Sequence, residues 1–229
     1  MKKLLLNALF LSFIAFNGNA QGLIDTMDPT SSGALFRNSV LDKKDQIQIE
    51  GSEYLITDFR LADVSGIPKP IMVRYNALTD MIEVQNEKKE LFSLMKTDPY
   101  NTITITPSVD KIELLNYKSE EGEINGYLTV LFNQNDVALY RRDRVTFQKG
   151  KEASNSYSVA IPARYVKASE EYYLSLKNET AAAIPKNKKG LQDLFPLKKE
   201  EIAVYLKNNA FSLKDEKSII EMAKFISTF

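Results

Sequence analysis

The sequence predicts a mainly β protein with C-terminal helices, an α+β chain built on an antiparallel curved sheet, sandwich or barrel plus three short helices. Two observations carry this expectation. Between residues 46 and 184, short runs rich in β-branched and aromatic side chains recur with turn residues every 8–12 positions. After Pro185 the apolar spacing changes from every second residue to i, i+3, i+4, the period of an amphipathic helix.

The N-terminus sets the first boundary. Lys2-Lys3 precede an apolar run from Leu4 to Phe16, broken only by Asn7 and Ser12, and Gly18-Asn19-Ala20 then places small residues before Gln21. This is the layout of a secretory signal peptide over 1–20, too short in its apolar part to span a bilayer. Without a cysteine after the run, no lipoprotein anchor is expected, and the destination is periplasmic or secreted. Residues 21–45, with "DPTSSG" at 28–33, lack a sustained period and read as a mobile lead-in. No later stretch is long and apolar enough for a transmembrane helix.

The β-rich domain is expected over 46–184. Its candidate strands are 46–50, 53–60, 71–76, 81–85, 90–94, 101–106, 111–117, 126–132, 137–148, 157–161, 171–176 and 180–184. "NTITIT" (101–106) alternates, with Ile103 and Ile105 on one face. "GYLTVLF" turns at "NQND" (133–136) into Val137–Tyr140 and continues as "RRDRVTFQ". The charged middle of that run suggests a strand that leaves the core and re-enters at Val145 and Phe147.

In the segment 185–229, Leu191, Leu194 and Phe195 mark one helix, and Ile202, Tyr205 and Leu206 mark a second beyond Pro196. Ser212 with Asp215 resembles a capping-box start for a third, whose stripe is Ile219, Ile220, Ala223 and Ile226. Such short helices must pack on one another and on the sheet.

Composition narrows the chemistry. The chain has no Cys, His or Trp. That removes disulfides, thiol nucleophiles, Ser-His-Asp triads and the usual zinc sites, leaving hard-metal sites built from carboxylates and carbonyls, and carboxylate, Lys or Tyr chemistry. Loss of Lys2 and Lys3 leaves 28 basic against 30 acidic side chains, which gives no electrostatic argument for nucleic-acid binding. No catalytic residue, cofactor or metal is assigned.

Two clusters are candidate sites. "VRYNALTDMIEV" (73–84) gathers Arg74, Tyr75, Asn76 and Asp80. A turn around Leu78-Thr79 sets Tyr75 opposite Ile82, Val73 opposite Val84 and Arg74 opposite Glu83. The Arg–Glu pair is then a cross-strand ion pair worth ~0.2–1 kcal/mol on an outer face, and the cluster is scaffold. The second cluster lies in the basic run Arg141, Arg142, Arg144, Lys149, Lys151. Tyr140, Arg142 and Arg144 share a strand face there, suiting stacking plus charge, though Asp143 and Glu152 interrupt the run and charged edges also protect sheets. Lys186, Lys188, Lys189, Lys198 and Lys199 read as solvated helix ends, with lipid-headgroup contact as the other option. "SLMK" (93–96) and "SVDK" (108–111) match Ser-x-x-Lys without its partner motifs. Glu120-Glu121-Gly122-Glu123 reads as a turn, and "NET" (178–180) is a formal glycosylation sequon.

"GSEYL" (51–55), "VRYNALTDMIEV", "GYLTVLF" and the tail from "KKGLQDLF" onward resemble a loosely defined group of exported Bacteroidetes-type proteins. That group typically reads Gly-Ser-Pro-Tyr-Leu, then Arg-Tyr-Asn, then a lysine-rich helical tail. Glu53 here replaces the group's Pro. The resemblance implies export and architecture and adds no activity. The expectation is therefore a non-enzymatic protein of the cell envelope engaging a protein or surface partner. The alternative is a carrier of an apolar small molecule or lipid in a curved β-sheet.

Overall fold

The computed structural model describes residues 36–38, 49–153, 157, 159–177 and 179–229. The signal peptide expected over 1–20 and most of the lead-in lie outside the described residues, as does Asn178 of the sequon. Strands account for 41% of the structure and helices for 17%, so the chain is mainly β with short C-terminal helices.

Eleven strands join in one sheet, ordered β1-β5-β4-β3-β2-β6-β7-β13-β12-β9-β8. They are β1 (Phe36–Asn38), β2 (Arg60–Val64), β3 (Ile71–Asn76), β4 (Met81–Gln85), β5 (Leu91–Leu94), β6 (Thr102–Ile105), β7 (Lys111–Ser119), β8 (Gly122–Gln134), β9 (Val137–Arg142), β12 (Glu171–Leu176) and β13 (Ala181–Ala183). Because β8 pairs with β7 as well as β9, the last five strands of that order close into a barrel-like ring. The first six form an open wing hanging from β7. Strands β10 (Val145–Gln148) and β11 (Arg164–Lys167) make a separate antiparallel pair. The ladders are antiparallel except where β13 runs parallel to β7, Ala181 opposite Tyr117, and it is this pairing that closes the ring.

Closure needs a bend in the long β8. The register shifts between Val130 and Phe132, a bulge that turns the strand and changes which face its side chains take. Val130 packs in the barrel interior, whereas Leu131 and Phe132 pack on the helices. Strand β9 is buried on both faces: Ala138 and Tyr140 point inward, Val137 and Leu139 outward. Helices α1 (Lys188–Asp193), α2 (Lys199–Asn208) and α3 (Glu216–Ile226) cover that outer face. They bring Leu191, Ile202, Leu206, Ile219 and Met222, each at most 1% exposed, against Leu139 and Leu174. A separate core under the wing holds Val73, Ile82, Val84, Leu94, Ile103 and Tyr127.

Several elements differ from expectation. No strand spans 53–60; the strand is β2 at Arg60–Val64, where Ala62 and Val64 are buried while Leu61 is exposed. With its one large aliphatic residue facing water, β2 gives no apolar alternation to read. The run 137–148 is two strands, split at Asp143-Arg144, and Phe147 stays 44% exposed beside Tyr165 although Val145 is buried. Among the described residues of 157–161 there is an isolated bridge, Lys151 to Ile161, and no strand, and β11 lies further on. Ser212 does not cap α3. Its hydroxyl accepts from Lys214 N in a preceding turn, and the helix starts after the extended Asp215. Phe36–Asn38, within the expected lead-in, form β1 on the edge of β5. Among the described residues no helix is long and apolar enough to cross a membrane.

Candidate binding site at the barrel mouth

The β3–β4 hairpin has the expected register, with Arg74 opposite Glu83, Tyr75 opposite Ile82 and Val73 opposite Val84. Its candidate residues divide between two faces, and of the four only Arg74 and Tyr75 line a common cleft. Arg74, Asn76 and Glu83 point to the face covered by residues 50–59. The Arg74 guanidinium lies 3.6 Å from the Tyr54 ring centroid and 4.4 Å from that of Phe59. It donates to Thr57 O at 2.9 Å and to Glu83 Oε2 at 2.6 Å. Glu83 also accepts from Tyr54 Oη at 2.8 Å and from Asn76 Nδ2 at 3.1 Å. The ion pair expected on an outer face is therefore buried, with 15% and 6% of the two side chains exposed. Segment 50–59 forms no ladder with this hairpin and is strapped across it by side chains and by one backbone bond, from Ala77 N to Glu53 O at 3.0 Å.

On the other face Tyr75 Oη donates to Asp80 Oδ1 at 2.8 Å and lies 3.2 Å from Asp143 O. Asp80, in the left-handed region at φ 54°, also accepts from the backbone N–H of Tyr127 on β8 and pairs with Lys96. Burial, then the Asp80 charge, pushes the Tyr75 phenol well above its ordinary range. Asn76 Oδ1 accepts from Leu78 N and Thr79 N, which closes the hairpin turn. Arg74, Tyr75, Asn76 and Asp80 thus tie strap, wing and barrel together.

Tyr140, Arg142 and Arg144 meet different fates. The face they share is the barrel interior at Tyr140 and the barrel mouth at Arg142. Tyr140 is 7% exposed among Leu128, Tyr173 and Ala138, so it offers no stacking platform. Burial, with Glu113 beside it, pushes its phenol up to about 12. Arg142 stands over the Tyr117 ring at 5.6 Å and meets Glu171 Oε2 at 3.2 Å, its partner across the β9–β12 ladder. Arg144 reaches the other oxygen of Glu171 at 3.7 Å. Tyr173 Oη donates to Glu171 Oε2 at 2.9 Å and fixes that carboxylate. A second carboxylate, Glu121 in the β7–β8 turn, approaches Arg144 at 3.4 Å and Arg142 at 3.7 Å. Burial works against the Arg142 charge, but Tyr117, Tyr173 and Glu171 more than offset it and hold the group firmly protonated.

A cleft of about 310 Å³ opens beside this cluster. Tyr172, Tyr173, Ala183, Ile184 and Leu213 supply its apolar side, Arg142, Lys186 and Lys214 its basic groups, and Glu120, Glu121, Glu170 and Glu171 its carboxylates. Glu121, Glu171 and Tyr173 were not assigned to a site from the sequence. Glu121 belonged to a predicted turn, and Glu171 reaches Arg142 only through a register set 29 residues away.

No family model, curated protein or solved structure matches the chain. The remaining candidates are quieter. Arg141 faces away from Arg142, saturated by Asp143 at 2.9 Å and Glu216 at 2.6 Å. These charges rim a second cleft of about 420 Å³. It is floored by Val73, Ile82, Ile105 and Ile112, at most 8% exposed, so it ends at a closed core. Lys186, Lys198 and Lys199 pair with Glu120, Glu201 and Asp193. Ser93 sits inside β5 and Ser108 in a turn bonded to Asp110, so neither Ser-x-x-Lys serine stands at a helix N-terminus.

Proposed function

We propose that the protein is an exported, non-catalytic protein of the cell envelope that engages a protein or surface partner from its outer surface. The filled barrel carries this reading. Tyr117, Leu128 and Tyr173, each 1% exposed, occupy the interior together with Tyr140, Ala138 and Ala181. The Tyr117 and Tyr173 rings meet edge to face at 4.7 Å. A carrier of a lipid or other apolar molecule needs an apolar cavity in the region of 300–1,000 Å³, and these side chains take up the space where one would lie. Recognition then falls to surface features, of which the barrel mouth is the best built.

Export rests on Lys2-Lys3, the Leu4–Phe16 run and the small residues before Gln21, and on the resemblance to exported Bacteroidetes-type proteins. Periplasmic or secreted material should begin at Gln21, which intact-mass measurement checks. Native mass spectrometry of protein purified from its own host tests the interaction reading. The expected species is the chain with a protein partner, and a bare chain counts against both the interaction reading and the carrier. A stoichiometric lipid or apolar small molecule would overturn the reading in favour of the carrier.

A further inference from the structure

The geometry points to a carboxylate-binding site at the barrel mouth, formed by Arg142 and Arg144 and occupied in the free protein by Glu121. The two carboxylates on these arginines are held very differently. Glu171 belongs to β12, lies across the ladder from Arg142 and is fixed by Tyr173. Glu121 is in a turn that is open at Gly122, where an added Cβ would meet no atom within 4 Å, and that is held from outside through Glu120, paired with Lys186 at 2.7 Å. Its side chain is 62% exposed, and its contacts of 3.4 and 3.7 Å exceed the roughly 2.7–2.9 Å of a good charge-assisted hydrogen bond. An exposed pair so stretched contributes little to stability.

The arginine side is built in. Arg142, with 12% of its side chain exposed, is backed by Tyr117 and Glu171, and a planar guanidinium suits two-point recognition of a carboxylate. When Glu121 swings away, a ligand carboxylate takes its place on Arg144 and Arg142. The group carrying that carboxylate enters the adjoining cleft against Tyr172, Ala183, Ile184 and Leu213. At about 310 Å³ the cleft is at the small end of ligand sites, which selects a short apolar group. The ligand class is therefore a carboxylate on a small apolar stem, met either in a free acid or at the C-terminus of a peptide ending in an apolar residue.

This inference rests on the reading that the protein works from its surface, and its test is separable from that one. Isothermal titration with 4-methylpentanoate, with N-acetyl-Gly-Gly-Leu and with the amide of that peptide would be run on the wild-type protein, Glu121→Gln and Arg142→Met. Saturable binding of either acid, without binding of the amide, is the expected result. Removing the internal competitor in Glu121→Gln should tighten binding by about threefold or more, and Arg142→Met should weaken it by roughly tenfold or more. Binding of both acids assigns the site to free carboxylates in general, and binding of the peptide alone assigns it to chain termini. Should Arg142→Met unfold, Arg144→Gln, at a side chain 30% exposed, carries the same expectation. Affinity unchanged in Glu121→Gln, or no saturable binding in any form, overturns the site. A protein partner in the native mass would in that case leave the surface-interaction reading standing.

Discussion

Replacing Glu83 by glutamine removes one charge from the strap that holds segment 50–59, with almost no change in volume. Glu83 accepts from Arg74 Nη2, Tyr54 Oη and Asn76 Nδ2. A glutamine offers one oxygen to these donors and turns its own NH2 towards them. Asn76 keeps Glu53 and Arg74 keeps Thr57 O, so the largest loss is the uncompensated charge on a guanidinium only 15% exposed. Breaking a buried pair in this way costs about 3–5 kcal/mol. The stacking of Arg74 on Tyr54 and Phe59 is present before and after the substitution and cancels, while the retained bond to Thr57 O keeps the cost at the low end of that range. The expected destabilisation is therefore about 3 kcal/mol, read as a lower urea midpoint at constant slope by circular dichroism. Arg74→Met should cost a similar amount, since it leaves the Glu83 charge buried. The double variant Arg74→Met/Glu83→Leu should cost clearly less than the sum of the singles. A cost below about 1 kcal/mol for Glu83→Gln would place the pair among exposed ion pairs and refute the reasoning.

Gly126→Ala would put a Cβ 2.7 Å from Asp80 Oδ2 and 3.2 Å from Tyr117 Oη, pushing out the carboxylate that ties β4 to β8; about 1–3 kcal/mol should be lost in urea unfolding. Adding Asp80→Ala should then cost less than it does alone. Ile219→Ala, at a fully buried position between α3 and the barrel, should cost about 2–5 kcal/mol by the same measurement. Alkaline unfolding should follow Tyr117 and Tyr140, whose phenols burial pushes up to about 12 against an unfolded value near ~10. The unfolded chain gives up these protons first, so their contribution is complete below pH ~10 and is lost as pH rises towards 12. Tyrosinate absorbance with circular dichroism checks this. Ordinary titration of every tyrosine with the fold intact would contradict the burial.

Elements whose signal is local were legible in the sequence. The β3–β4 hairpin carries its own turn chemistry in Asn76, and a period of two then leaves one register that buries Val73, Tyr75, Ile82 and Val84. The stripe on α3 and the mainly β class follow from periodicity in the same way. Strand β2 was not legible, because Leu61 points outward and its buried pair is small. Nor was the true start of α3, since Ser212 closes a turn one step before the helix.

What the sequence by itself determined is the mainly β class with helices at the end, and the β3–β4 hairpin register with the faces of its two strands. Tertiary structure alone decided what each face meets. Segment 50–59, reached by Arg74 from 17 residues away, makes an apparently solvated ion pair a buried one. The parallel pairing of β13 with β7 sends Tyr140 inside and leaves Arg142 and Arg144 at the rim with Glu121 and Glu171. Periodicity assigns a side chain to a face because alternation is a property of the local backbone. Whether that face sees water depends on strands and loops brought together by closure, and no local pattern encodes them.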